Sequence, residues 1–287
     1  MPRRAGACRS CQTLKSVGGM AVLSVDLAYK SYTDIGAVIL CQHRGEVCAE
    51  LLALPLRGRP QPEELATFLN QYCADRGIRV LLLDGPQAWK SSRSALVHSR
   101  QCERELNTPA KTGLPGNVKP RNYLPFVTFS IQVFDALCSA GWERLEAAPT
   151  VLGPTRRIVV ESFPLSAWRA LELPALPAKS KTKAADLKSR LDSLRSIAPL
   201  HLSGAPTHDE LQAVVSGLAG IALESDYWGA CVASGVAPFF SDGAWREGFI
   251  VNPTGRIREA LSNKLLQPTS GVGASNSYES LMCAAHG

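Results

Sequence analysis

Apolar and polar positions along the 287-residue chain group into runs with distinct periods. Residues 21–27, 35–41 and 46–54 are β-prone, and Gln42 to Gly45 is a spacer short enough to make a hairpin of the second and third. An antiparallel meander is expected. Between 63 and 75, Leu65, Phe68, Leu69, Tyr72 and Cys73 recur at i, i+3, i+4, i+7 and i+8, the apolar stripe of an amphipathic helix introduced by Pro60 and Pro62. The run 80–83 is wholly apolar, as a strand covered on both faces in a parallel arrangement would be, and it stops at Asp84-Gly85-Pro86. Residues 87–120 are polar and long for a connection, which predicts an insertion or a functional loop. Helices are expected over 122–140, 165–173, 184–197 and 209–224, with a short strand over 158–160. The class is α/β.

Composition narrows the choice. With 45% hydrophobic and 20% charged residues the chain can bury a core as one large or two small domains, which excludes disorder, collagen and coiled coil. Lys and Arg number 31 against 25 acids, so a polyanionic partner is permitted but not identified. No apolar run approaches the ~20 residues of a membrane span. The longest stretch, 211–223, is broken by Gln212, Ser216 and Gly217, so a soluble protein without a membrane partner is expected. The 9 cysteines lack framework spacing, and several lie in apolar runs, which predicts a reducing, cytoplasmic setting. Cys8 and Cys11 form a close pair without the second pair of a zinc ribbon.

Residues 1–19 are basic and Gly-rich, with neither a structural period nor the apolar core of a secretory signal. Met20 opens the first strand, so translation is expected to begin there. Residues 263–287, rich in Ser, Gly, Asn and Ala, read as a flexible tail. A single domain over 20–262 is left, with its insertion around 87–120.

The acids carry the candidate chemistry. Asp26, Asp84 and Glu161 each close a β-like run, and in open α/β sheets the functional crevice lies beyond the carboxyl ends of the strands. Any one of them alone can be a turn residue or a cap. Converging carboxylates repel unless a cation neutralises them, and hard oxygen donors without a His-rich set favour Mg²⁺ or Mn²⁺. Two such ions about 3.5–4 Å apart support phosphodiester hydrolysis. Asp209 or Glu210 can supply a fourth acid, although Thr207 to Glu210 also matches a capping box and Asp209 suits a helix N-terminus. The candidate catalytic and metal-ligating set is therefore Asp26, Asp84, Glu161 and Asp209. His208 can orient a water as a general base or simply pack.

Basic residues supply candidate phosphate contacts. Lys179, Lys181, Lys183, Lys188, Arg190 and Arg195 form a stripe with Asp186 and Asp192, which serves equally as a solvated helix face. Arg100 and Arg104 share one face if helical and, with Lys90, are the candidate substrate-binding residues near Asp84. Trp89 can stack on a base or pack beside a strand end.

Several segments together resemble domain-of-unknown-function family 429, a group regarded as predicted nucleases of the ribonuclease H-like fold. The matching residues are Val25-Asp26-Leu27-Ala28, Leu83-Asp84-Gly85-Pro86 and Arg100-Gln101-Cys102-Glu103-Arg104-Glu105-Leu106. They continue with Glu161-Ser162-Phe163-Pro164, Trp168, Arg169 and Leu171, and with His208-Asp209-Glu210-Leu211-Gln212-Ala213, spanning roughly 20 to 253. The resemblance implies a mixed sheet, an antiparallel meander plus parallel strands, flanked by helices. It also implies a Mg²⁺- or Mn²⁺-dependent nuclease acting on RNA or DNA. Gln212 stands where the family pattern has a second acid. Two other readings compete: a non-catalytic nucleic-acid-binding or scaffold protein, and a phosphotransferase or ATPase of the actin-like group. The last fares worse, because Asp26-Leu27-Ala28-Tyr29-Lys30-Ser31 lacks phosphate-loop glycines and the chain is short for two such domains.

Overall fold

Strand β1 (Met20–Asp26) pairs antiparallel with β2 (Gly36–His43), which pairs antiparallel with β3 (Glu46–Leu51), in the computed structural model describing residues 20–263. The expectations for residues 1–19 and for the tail beyond 263 lie outside the described residues. Arg44 (φ 51°) and Gly45 (φ 83°) close the β2–β3 hairpin, two consecutive positive φ values that match the right-handed twist of the strands. Helix α1 (Pro62–Arg76) starts at its proline and ends on Gly77 in the left-handed region at φ 65°, the asymmetry that marks helix ends. It returns the chain to β4 (Val80–Asp84), which lies parallel to β1.

The segment after β4 contains helix α2 (Gln101–Leu106) and a ribbon of β5 (Lys111–Thr112) and β6 (Val118–Lys119). Helix α3 (Leu124–Ser139) follows, then β7 (Glu143–Arg144) and β8 (Ile158–Ser162), the latter parallel to β4. Helices α4 (Pro164–Ala170) and α5 (Ala184–Ile197) lead to β9 (Leu200–Ser203), which joins the outer edge of β3 in parallel. Helix α6 (His208–Glu224), the antiparallel pair β10 (Cys231–Ser241) and β11 (Ala244–Pro253), and helix α7 (Ile257–Asn263) complete the order.

The strands form one mixed sheet in the order β10-β11-β8-β4-β1-β2-β3-β9, with β7 beside β8. A meander on one side of β1 and parallel strands on the other is the expected ribonuclease H-like arrangement. The sheet is covered on both faces, which explains the unbroken apolar run of β4. Val22, Val80, Leu82 and Val160 pack on one side with α6, whereas Leu23, Leu81, Leu83 and Val159 pack on the other with α1 and α3.

Helix α6 lies unusually close to the sheet. A Cβ on Gly217 would stand 2.3 Å from Leu40 Cδ1, and one on Gly220 would stand 2.4 Å from Leu82 Cδ1, so a side chain at either position would have to displace a core leucine. Among the described residues no helix is long and apolar enough to cross a membrane.

Candidate functional site

Asp26 and Asp84 are register partners at the carboxyl ends of the adjacent parallel strands β1 and β4. Partners in register point to one side of a sheet, here the α6 side. The two buried carboxyls are close enough to act on each other's titration, so a proton or a cation at this point relieves their repulsion. Burial and the neighbouring Asp84 push Asp26 well above the ordinary carboxylate range. Burial also lifts Asp84 to about 7 from an ordinary 3.8, with Glu161 adding to the rise and the hydrogen bond from Asp26 opposing it.

Asp209 reaches the same corner from the first turn of α6, and its charge adds to the rise at Asp26. Gly36, the register partner of Asp26 on β2, makes this approach possible: a Cβ there would stand 2.2 Å from the Asp209 carbonyl carbon. Lys179 Nζ donates to Asp209 Oδ2 at 2.5 Å and to Asp34 Oδ1 at 2.9 Å. His208 sets Nδ1 at 3.1 Å from Asp209 Oδ1 and Nε2 at 3.1 Å from the Pro177 carbonyl. Burial acts to raise Asp209, but His208 and Lys179 outweigh it and hold the carboxyl below its ordinary range. Glu210 closes the capping box with Thr207 and is occupied there.

Glu161 is placed differently. It pairs with Leu83 rather than Asp84, and because side chains alternate along a strand, it belongs with Val159 on the opposite face of the sheet. There Arg100 grips it with two bonds of 2.7 Å, and the Gln87 amide donates at 2.9 Å. Burial raises the Glu161 carboxyl and Arg100 offsets part of that rise.

The structure gives the candidate substrate-binding residues separate surroundings. Arg100 is fully buried, caps the N-terminus of α2 instead of lying on its face, and holds Glu161 and Glu103. Its sequence-predicted shared face with exposed Arg104 is thereby corrected. Lys90 is buried too, donating to the carbonyls of Ser91 and Ser94. Gln212 accepts the indole N–H of Trp168 at 2.7 Å. Trp89 packs against the small cluster of Val118, Val127 and Ile131. Sequence reasoning missed Lys179 as a partner of Asp209 and Arg100 as a partner of Glu161. The signal available for both was a carboxylate at a buried strand or helix end, which needs a cation.

Among the described residues no three His, Cys, Asp or Glu side chains are arranged to hold a metal ion. The Asp26 and Asp84 pair does fit a hard divalent cation: Mg²⁺ binds through one or two carboxylates and keeps several waters or substrate phosphates. Their burial and crowding, which raise both carboxyls, mark a place where positive charge is favourable. Asp209 stands next to the pair, neutralised by Lys179.

No protein-family model and no curated protein matches the chain. Among solved structures it is similar to the RuvC of T. thermophilus in complex with a Holliday junction substrate, at 13% identity and a TM-score of 0.34. A Thermus thermophilus RuvC structure is similar at 14% identity and a TM-score of 0.35. Each covers 73% of this chain and 95% of that one. The site is therefore read from its own side chains.

Proposed function

We propose that this protein is a metal-dependent nuclease of the ribonuclease H-like kind and a member of domain-of-unknown-function family 429. The observation that carries the proposal is the in-register pair of Asp26 and Asp84 at the carboxyl ends of adjacent parallel strands, with Asp209 acting on Asp26 from the first turn of α6. Mg²⁺ or Mn²⁺ bound there supplies Lewis-acid activation of a phosphate and lowers the pKa of a bound water. Asp26 and Asp84 would hold the ion through their carboxylate oxygens. Lys179 and His208 fix the Asp209 carboxylate beside Asp26, where it can orient a water or a further ligand. Arg100 holds the Glu161 carboxyl with two hydrogen bonds on the opposite face of the sheet.

A second reading, a nucleic-acid-binding or scaffold protein without catalysis, is favoured by the pairing of Asp209 with Lys179 and by the use of Gln212 to hold Trp168. Labelled RNA, DNA and hybrid substrates incubated with Mg²⁺ or Mn²⁺ separate the two. Cleavage that vanishes in Asp26→Asn is the expected result. Binding without metal-dependent cleavage on any of them overturns the nuclease reading.

A further inference from the structure

A cavity of about 150 Å³ opens beside the acid pair, on the side of β4 that faces β8. Asp84 and Ser162, register partners on those strands, both line it. Tyr123, Phe126 and Phe163 line it as well, each partly exposed, and Pro86 adds a further apolar wall. The Ser162 hydroxyl is buried, the residue being 2% exposed, and has no hydrogen-bond partner among the described residues. A buried hydroxyl left unpaired is destabilising, so it marks a place where a ligand's polar group would be stabilising.

From this combination we infer that the cavity holds one nucleobase of a strand whose backbone passes the Asp26 and Asp84 pair, and that it prefers a pyrimidine. A cavity of this volume takes a single six-membered ring. Aromatic side chains bind bases by stacking with tolerance for sequence, and the Ser162 hydroxyl can pair with a ring or exocyclic atom. A base can enter only when it is outside a duplex stack, so the substrate class is single-stranded or locally unpaired nucleic acid. The inference rests on the nuclease reading for the path of the backbone, but the pocket's occupancy is independent of cleavage.

The test is binding without metal. A labelled oligothymidylate titrated into the protein in EDTA is compared with the same length of oligoadenylate and with an abasic ladder. Tighter binding of oligothymidylate than of either is expected, with Tyr123→Leu and Phe163→Leu each weakening it about tenfold. Ser162→Ala should reduce the pyrimidine preference without lowering the melting temperature. Equal binding of the abasic ladder by the wild-type protein overturns the pocket whatever the variants do. Cleavage that persists under that outcome leaves the nuclease reading standing. Base-dependent binding without cleavage of any substrate keeps the pocket and sinks the nuclease.

Discussion

Gly36 touches the backbone of Asp209: a Cβ at Gly36 would lie 2.2 Å from the Asp209 carbonyl carbon and 2.4 Å from the Glu210 nitrogen. The missing side chain lets the first turn of α6 rest on β2 directly across from Asp26, and both contacts are with backbone that cannot swing aside. Gly36→Ala should therefore push the helix N-terminus off the sheet. A loss of about 1–3 kcal/mol in urea unfolding is expected, the range for overpacking, together with a fall in metal-dependent cleavage. Wild-type stability in Gly36→Ala would mean that the contact does not position Asp209.

Arg100 and Glu161 form a buried pair whose members are 0% and 3% exposed in their side chains. Truncating one partner leaves an uncompensated charge, so Arg100→Ala is expected to destabilise by about 3–5 kcal/mol. Glu161→Gln should cost less, because the amide still offers an oxygen to the Gln87 N–H. Chemical denaturation in EDTA measures both. If Glu161→Gln instead raises metal-free stability and abolishes the response to Mg²⁺, Glu161 belongs among the metal ligands after all.

The fold was largely legible because its central elements carry period and punctuation. The four apolar residues of β4 announced a strand with two covered faces, and Arg44-Gly45 fell where a two-residue hairpin needs them. The β10–β11 hairpin carried a weaker signal: Gly235 and Pro238 interrupt β10, and its register shifts between Val236 and Phe239. Strand β9 spans only Leu200–Ser203 and is defined by its neighbour β3. At the site, strand ends picked out Asp26 and Asp84, but strand parity separates Glu161 from them by a single position, which residue spacing alone leaves undefined. The partners of the outlying acids, 61 residues away for Arg100 and 30 for Lys179, are tertiary facts.

Lys179 bridges Asp34 and Asp209 and is about half exposed, so its removal should matter more to ions than to folding. Exposed pairs contribute about 0.2–1 kcal/mol, and Lys179→Met is expected to lose no more than that. Taking a positive charge away from the corner shared by Asp26 and Asp209 should tighten Mg²⁺ binding severalfold in calorimetric titration. Unchanged or weaker Mg²⁺ binding would mean that the Lys179 charge does not oppose an ion at this corner.

The raised carboxyls of Asp26 and Asp84 link metal, pH and stability with a definite sign. In the unfolded chain both carboxyls lose their protons near the ordinary 3.8, whereas in the folded protein Asp84 holds on to about 7 and Asp26 is also well above its ordinary value. Between these limits the native state binds more protons than the unfolded state, so stability falls as pH rises. With respect to this pair, metal-free protein should thus be most stable below the unfolded value of 3.8 and lose that contribution as pH rises through about 7. A divalent ion takes the proton's place, so the Mg²⁺-induced rise in melting temperature should be small at pH 5 and grow through pH 7. At a hundredfold excess over Kd the corresponding stabilisation is about 2.7 kcal/mol. Asp26→Asn removes one of the two charges, which should flatten the pH profile of the metal-free protein, leave it as stable as wild type or more so at pH 8, and remove most of the Mg²⁺ response. Calorimetry of both proteins in EDTA and in Mg²⁺ across this range decides the matter. An unchanged Mg²⁺ response combined with a large loss of metal-free stability would make Asp26 a structural residue and remove the basis of the nuclease proposal.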